Sequence, residues 1–254
     1  MGINAQLHRS VAAISRIFEI LNQSPEFEMN EIQEKPDKIK GSVSFQNVSF
    51  SYNGKDKTLE NINFSVELGE LIAIVGKSGA GKTSLVNLMP RFYDPQEGKI
   101  FIDNIDIKQI TKTQLRNDIG YVPQDTFLFE GTILDNIKFS KMEATDDEVI
   151  NAAKASGVDY IIKGLSIDYS TNVGVLGTKL SGGQKQLISI ARVILKDPRI
   201  LIFDEATSNL DYETEKLLKK AINNLVKGRT TFVIAHRLTT VLSANRIFVL
   251  EKGK

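Results

Sequence analysis

The chain has 254 residues, with 32 Lys and Arg against 31 Asp and Glu, so its formal net charge is +1. Hydrophobic residues make up 41% and charged residues 25%, a globular composition that excludes disorder as the main state. The balanced charge argues against a nucleic-acid partner, the absence of cysteine excludes disulfides and thiolate metal sites, and two histidines leave little for a zinc centre.

The N-terminal segment has the pattern of an amphipathic helix over residues 1–22. Five apolar residues recur at alternating spacings of four and three, which places them on one stripe of a helix. They are Leu7, Val11, Ile14, Phe18 and Leu21. Residues 23–41 carry two prolines and many charges and are predicted to be a linker, so the compact domain is expected over 42–254. We find no signal-peptide core and no run of about 18 to 20 apolar residues, so we expect no membrane crossing within this chain and a cytosolic setting for it.

The domain opens with patterns of two kinds of strand. VSFQNVSFSY and NINFSVEL alternate apolar and polar residues, which predicts antiparallel strands. ELIAIVG, RILIFD (199–204) and TTFVIA (230–235) are continuous apolar runs typical of strands that are buried on both faces. Helical patterns near 183–195 and 212–226 alternate with these runs, so we expect an α/β fold with a parallel sheet covered by helices.

The buried-strand signal is absent between about residues 125 and 182. Thr145 and Glu148 have the spacing of a capping box, and alanines follow it. We therefore predict a mostly helical subdomain inserted into the α/β core.

The strongest single motif is the G-x-x-x-x-G-K-T sequence from Gly76 to Thr83, which follows the strand ELIAIV and precedes the helical stretch SLVNLM. This context is that of a P-loop, in which backbone N–H groups and a helix N-terminus converge on phosphate oxygens. Lys82 is expected to reach the outer phosphates, and the Thr83 hydroxyl is expected to bind Mg²⁺. A plain glycine turn at a strand–helix junction is the competing interpretation.

Two carboxylates, Asp204 and Glu205, end the apolar run that begins at Ile200. In a parallel sheet, ligands bind beyond the carboxyl ends of the strands, where these acids fall. Asp204 suits a Walker-B role on Mg²⁺, and Glu205 suits the polarisation of an attacking water. A solvated strand end would be the better interpretation if the P-loop were absent.

The third motif is the sequence LSGGQ, which opens the helical pattern near 183–195. Ser181 and Gln184 form a capping box, so an ordinary N-cap explains part of the motif. It does not explain Gly182 and Gly183, which leave backbone N–H groups open to an anion.

A P-loop, LSGGQ and a strand ending in Asp-Glu, in this order, resemble the nucleotide-binding domain of an ABC transporter from about Val43 to Glu251. The resemblance implies a P-loop NTPase (RecA-like) core with an antiparallel β subdomain and an inserted α-helical subdomain. It also implies that ATP is the ligand, that Mg²⁺ accompanies it, and that the chain hydrolyses ATP.

The resemblance assigns roles to particular residues of this chain. Those implied in ATP binding are Tyr52, Gly76, Lys77, Ser78, Gly79, Ala80, Gly81, Lys82, Thr83, Ser84, Gln124, Ser181, Gly182, Gly183, Gln184, Asp211 and His236. Thr83, Gln124 and Asp204 are implied as metal ligands, and Glu205, His236, Gln124 and Lys82 as the catalytic set. Tyr52 would stack on adenine, His236 would contact the γ-phosphate, and Asp211 would act across a dimer or serve only as a helix N-cap.

Three features resemble exporters: RFYDP (91–95) with Gly98, TNVGVLGTKLSGGQ, and the helix of residues 7–21. The resemblance implies a half-transporter domain whose membrane domain lies upstream and whose C-terminal helices are missing after VLEKGK. It would act at the cytoplasmic face of a membrane, paired with a second nucleotide-binding domain, identical or not. Val175-Leu176 stands where exporters usually carry Glu-Arg, and Leu187 stands where Arg is common. These departures leave open how the domain would be coupled to its membrane domain.

Two other functions are compatible with parts of this pattern. A soluble ABC-type ATPase acting on DNA ends or ribosomes shares the motifs, but it would need a coiled-coil insertion or a second cassette. An ATP-gated interaction module would dimerise without turnover.

Overall fold

The computed structural model describes residues 3–23, 39–165, 167–204, 212–235 and 243–254. The chain divides into two compact units, residues 1–32 and 33–254. In the first unit, helix α1 spans Ile3–Leu21, and its apolar residues Val11, Ile14, Phe18 and Leu21 are exposed. Within the described ranges, no helix is both long enough and apolar enough to span a membrane.

The second unit contains two sheets and seven α-helices among the residues described. Its strands are β1 (Val43–Phe50), β2 (Leu59–Val66), β3 (Leu71–Val75), β4 (Glu97–Ile102), β5 (Ile105–Asp106), β6 (Ile119–Val122), β7 (Ile200–Asp204), β8 (Thr230–Ile234) and β9 (Arg246–Val249). Its helices are α2 (Lys82–Leu88), α3 (Lys112–Asp118), α4 (Ile133–Lys138), α5 (Asp146–Ser156), α6 (Val158–Leu165), α7 (Gly182–Lys196) and α8 (Tyr212–Leu225).

The first sheet is antiparallel, with the strand order β2-β1-β4-β5. Phe45 of β1 lies opposite Phe64 of β2 and also opposite Ile100 of β4. The antiparallel pairing predicted for the two alternating segments is thus confirmed. One face of this sheet packs into the core, since Phe45 and Ile100 are almost fully buried.

The second sheet is parallel, with the strand order β6-β7-β8-β3-β9. All five residues of β7 and all five of β8 are buried, as the continuous apolar runs predict. Because the strands are parallel, the P-loop after β3, Gln124 after β6 and Asp204 at the end of β7 all fall at one edge of the sheet. The α/β fold with a parallel core is confirmed.

Helices dominate the segment between β6 and β7. The described residues of this segment contain helices α4 to α7 and no strand other than an isolated bridge between Thr132 and Asn172. The predicted capping box at the start of α5 is confirmed, since the Thr145 N–H donates to Glu148 at 2.8 Å and the Glu148 N–H donates to Thr145 at 3.3 Å. A second apolar cluster, separate from the core that joins the two sheets, holds these helices together.

The packed chain begins before Ser42, the boundary expected from sequence. Ile39 is buried in the core that joins the sheets. The backbone N–H groups of Lys40 and Ser42 donate to the Asp103 carboxylate at 2.5 and 2.9 Å, and the N–H of Gly41 and the hydroxyl of Ser42 donate to the same group. One carboxylate therefore fixes three successive residues of the incoming chain.

We predict that Asp103→Asn lowers the free energy of unfolding by about 1–3 kcal/mol, because an amide presents N–H groups where backbone N–H donors converge. Asp103 has φ +52°, a conformation that Asn also tolerates, so the substitution tests the charge and its acceptors rather than backbone strain. Urea unfolding followed by circular dichroism measures the change. The control Asp125→Asn, at an exposed position, should stay within about 0.5 kcal/mol of the wild type. Equal unfolding midpoints for the two variants would contradict the account.

Candidate active site

The loop from Gly76 to Gly81 connects β3 to the start of α2. Gly81 has φ +101°, and a Cβ there would lie 2.9 Å from both the Thr58 carbonyl oxygen and Leu59 Cδ2, so only glycine fits. Lys77, Ser78 and Gly79 are exposed at the tip of the loop. The loop is thus anchored at its end and open at its tip, where an anion would meet backbone N–H groups.

Lys82 lies inside the curve of this loop. The residue is only 7% exposed, and its ammonium group donates to the carbonyl oxygens of Gly76 and Lys77 at 2.9 and 3.1 Å. Both acceptors belong to the loop itself. The positive charge is therefore held within the loop, which suits the predicted role of Lys82 on phosphate oxygens.

Asp204 connects the end of β7 to the P-loop helix. Its side chain is buried, and the Thr83 hydroxyl donates to its Oδ1 at 3.4 Å. Hydroxyl and carboxylate oxygens are ligands that suit Mg²⁺, which also keeps water and phosphate ligands. The described residues contain no cluster of three His, Cys, Asp or Glu side chains that would hold a metal by themselves. The Thr83 and Asp204 oxygens therefore fit a cation whose other ligands come from a phosphate group and water.

Tyr121 is a residue of this site that the sequence analysis missed. Its hydroxyl donates to Asp204 Oδ2 at 3.2 Å, from strand β6 beside β7. Burial raises the pKa of the Tyr121 phenol above its ordinary value, and the negative charge of Asp204 raises it further. The phenol therefore keeps its proton and acts as a donor at neutral pH. The available signal was a tyrosine three residues before Gln124, at the end of a strand.

An aromatic group stands beside the P-loop helix. The Tyr52 ring contacts Phe50 edge-on, with centroids 4.8 Å apart, and Tyr93 edge-on, with centroids 5.0 Å apart. Its hydroxyl lies 3.0 Å from the Ser84 hydroxyl of α2. Tyr52 is nevertheless 54% exposed, so the ring is held by two neighbouring rings and its hydroxyl and still offers surface to a planar ligand.

The segment Ser181–Gln184 opens helix α7. The Gln184 N–H donates to the Ser181 hydroxyl at 3.3 Å and the Ser181 N–H donates to Gln184 Oε1 at 3.0 Å, which confirms the predicted capping box. Ser181 and Gly182 are exposed, whereas Gly183 is buried. A Cβ at Gly182 would meet nothing within 4 Å. The helix start therefore presents open space and backbone N–H groups.

The remaining predicted site residues lie in less constrained or undescribed places. Gln124 is exposed, and its backbone carbonyl accepts a long hydrogen bond of 3.5 Å from the Gln186 side-chain amide. Glu205, Asp211 and His236 lie outside the described residues. Asp204 pairs in register with Ile234, so strands β7 and β8 end side by side. In the sequence, Glu205 comes directly after β7 and His236 comes two positions after the end of β8.

Comparison with known proteins relates the chain to one family. Residues 59–208 match the family model described as ABC transporter. The chain is 46% identical over 254 residues to the uncharacterized ABC transporter ATP-binding protein YknV of Bacillus subtilis, with 98% of this chain and 41% of the relative covered. It is 49% identical over 257 residues to the ATP-dependent lipid A-core flippase of Desulfotalea psychrophila, with 99% and 44% covered.

A solved structure of a bacterial Atm1-family ABC exporter with ATP bound is similar to the fold, with a TM-score of 0.87 and 40% sequence identity. The similarity covers 97% of this chain and 43% of that chain. The chain thus spans less than half the length of the relatives that it matches.

We predict that Tyr52→Ala weakens ATP binding by roughly 5- to 100-fold, the range expected when one base–aromatic stack is lost. Tyr52→Phe keeps the ring and its edge contacts and should bind within about threefold of the wild type, since it loses only the bond to Ser84. Isothermal titration calorimetry with ATP measures both, and inorganic triphosphate, which has no base, serves as the control ligand. Wild-type ATP affinity in Tyr52→Ala would refute the adenine role.

Proposed function

The chain belongs to the ABC transporter family, and on this premise we propose that it binds and hydrolyses ATP in a dimer to power export across a membrane. Members of this family are ATPases coupled to transport, and their domain binds ATP. The observation that carries the proposal is the contact of Thr83 with Asp204, which joins the P-loop to the end of β7. In a P-loop NTPase these two elements hold the phosphates and their cation.

ATP would be held by two features of the P-loop unit. The exposed loop tip and the N-terminus of α2 offer N–H groups to the phosphates, and Lys82 supplies the positive charge. The fixed Tyr52 ring would take the adenine. We propose the same ATP-binding role for the other binding residues named in the sequence analysis. Ser84 is one of them, and its hydroxyl lies within hydrogen-bond distance of the Tyr52 hydroxyl.

The chemistry would take place beyond β7. Thr83, Asp204 and Gln124 would hold Mg²⁺, which when bound neutralises charge on the phosphate oxygens. Glu205 would polarise the attacking water as a general base, and His236 would contact the γ-phosphate. Lys82 would stabilise the negative charge that develops on the transferred group.

A second nucleotide-binding domain would complete each site. Ser181 and Gly182 are exposed at the start of α7, and the P-loop tip is exposed at the start of α2, so each presents N–H groups with room for a phosphate. We assign the signature segment of one chain to the nucleotide on the P-loop of another, with Asp211 at the same interface. Bound ATP would then join two chains, and phosphate loss would release them.

The proposal places the domain at the cytoplasmic face of a membrane, in a complex with a transmembrane domain. The relatives are more than twice as long as the part matched here, which leaves room for such a domain in them. Residues 1–22 would continue from it, and residues 42–254 would form the ATP-binding domain, with the helical subdomain near 125–182. The relatives include proteins named "ATP-dependent lipid A-core flippase" and "Putative multidrug export ATP-binding/permease protein YgaD", and for this chain we propose export without choosing between such substrates.

We predict that Glu205→Gln lowers phosphate release from Mg-ATP by about 100-fold or more, because the amide removes the general base while keeping the side-chain shape. A coupled phosphate assay on the 254-residue chain measures the rate. Glu213→Gln, an exposed acid in the first turn of α8, is the matched control and should keep the wild-type rate. Equal rates for the wild type and Glu205→Gln would remove the catalytic assignment and favour a module that binds ATP without turnover.

The same variant tests dimerisation. With saturating ATP, Glu205→Gln is expected to elute from size exclusion as a dimer, whereas the wild type stays largely monomeric because it turns ATP over. Removal of ATP should return the variant to the monomer. A variant that stays monomeric at saturating ATP would count against the two-chain site.

A further inference from the structure

We propose that Tyr121 is a positioning residue that orients the Asp204 carboxylate for the divalent cation that accompanies ATP. The inference rests on the proposed function, and it adds a residue that belongs to none of the motifs by which the site was recognised. It concerns one hydrogen bond, from the Tyr121 hydroxyl to Asp204 Oδ2 at 3.2 Å.

Each oxygen of the Asp204 carboxylate accepts a hydrogen bond from a hydroxyl group. Thr83, at the start of α2, donates to Oδ1, and Tyr121, on β6, donates to Oδ2. A carboxylate with a donor on only one oxygen turns easily about its terminal torsion, which is broad. The bond from Tyr121 adds a restraint on that rotation and favours the orientation in which Oδ1 faces the P-loop helix. A cation ligand is thereby oriented by a neighbour, as is usual around metal sites.

The position of the Tyr121 hydroxyl is itself determined by packing. The parallel register pairs Tyr121 with Ile202, two residues before Asp204 on the adjacent strand. Its ring meets the Phe92 ring edge-on, with centroids 5.8 Å apart. The Arg116 guanidinium lies 5.3 Å from the centre of the Phe92 ring and donates to the Pro90 carbonyl at 3.1 Å. The phenol therefore has a supported ring and a hydroxyl that reaches one oxygen of Asp204.

Tyr121 also borders a cavity of about 400 Å³ between the parallel sheet and the helical segment. Phe92, Phe127 and Arg192 line the same cavity. The side chain thus extends from the wall of a surface cavity to the cation ligand. A role confined to satisfying a buried phenol would affect stability alone, whereas a positioning role affects the cation-dependent part of nucleotide affinity.

The test compares the affinity of the 254-residue chain for a fluorescent, non-hydrolysable ATP analogue in Mg²⁺ and in EDTA. The ratio of the two dissociation constants measures the gain that Mg²⁺ provides. In Tyr121→Phe we expect this gain to fall by about 3- to 10-fold, the effect of one typical intramolecular hydrogen bond, while the affinity in EDTA stays within about twofold. Mn²⁺ electron paramagnetic resonance on the complex provides a second readout and should show weaker cation binding.

Tyr169→Phe is a matched control. Its hydroxyl donates to Asp159 Oδ1 at 3.0 Å, so the substitution deletes the same kind of bond within the helical segment. It should leave the Mg²⁺ gain unchanged. Phe92→Leu removes the ring that supports Tyr121 but keeps the hydroxyl, and it should lower the same gain by a smaller factor. This variant decides the question if Tyr121→Phe unfolds.

Two results would overturn the inference: an undiminished Mg²⁺ gain in Tyr121→Phe, or an equal loss of affinity in Mg²⁺ and in EDTA. Either is separable from failure of the proposed function itself. If the proposed function failed, the wild-type chain itself would bind no nucleotide, or would bind it without any Mg²⁺ gain.

Discussion

The proposed chemistry of this chain depends on the contact between Thr83 and Asp204. The two residues are 121 positions apart in sequence, and the parallel sheet brings them together because β3 and β7 both flank β8 and point the same way. Both strands end at the edge where ligands of α/β sheets bind. If one of these strands ran antiparallel, the Lys82 loop and the Asp204 carboxylate would lie at opposite ends of the sheet. The buried apolar runs that form the parallel sheet thus also position the site.

A second constraint is the separation of the chain into two apolar clusters. The P-loop helix packs through Leu85 and Val86 into the cluster that joins the two sheets, whereas α7 packs through Leu187 and Ile188 into the cluster of the helical segment. The P-loop and the signature segment therefore sit on different clusters of the second unit, and each presents an open helix start. Leu187 is fully buried, so a leucine at this position is explained by its surroundings, while Val175 and Leu176 are exposed. These surfaces suit a site that two chains build together.

Much of the architecture could be predicted from local sequence patterns, and the failures have physical causes. The sequence predicts the buried strands, the antiparallel pair and the capping boxes at Thr145 and Ser181. Hydrophobic periodicity, continuous apolar runs and capping hydrogen bonds all involve residues only a few positions apart. The order of the strands could not be predicted in this way, because the pairing of β6 with β7 joins residues about 80 positions apart and leaves no local pattern. Tyr121 was missed for that reason, because its partner Asp204 is visible only once the register is known. Ile39 was assigned to the linker because one apolar residue among charges gives no periodicity, yet the core buries it.

The most direct test of the account is whether two chains share one nucleotide. The chain has no cysteine, so single cysteines can be introduced at Ser78, on the exposed P-loop tip, and at Gly182, where a Cβ meets nothing within 4 Å, each in the Glu205→Gln background. A mixture of the two variants is treated with a short bismaleimide linker. The account predicts a crosslinked product of two 28.2 kDa chains that forms with ATP and is lost without it. A chain carrying both cysteines that instead crosslinks internally as a monomer, with no ATP-dependent product in the mixture, would contradict it.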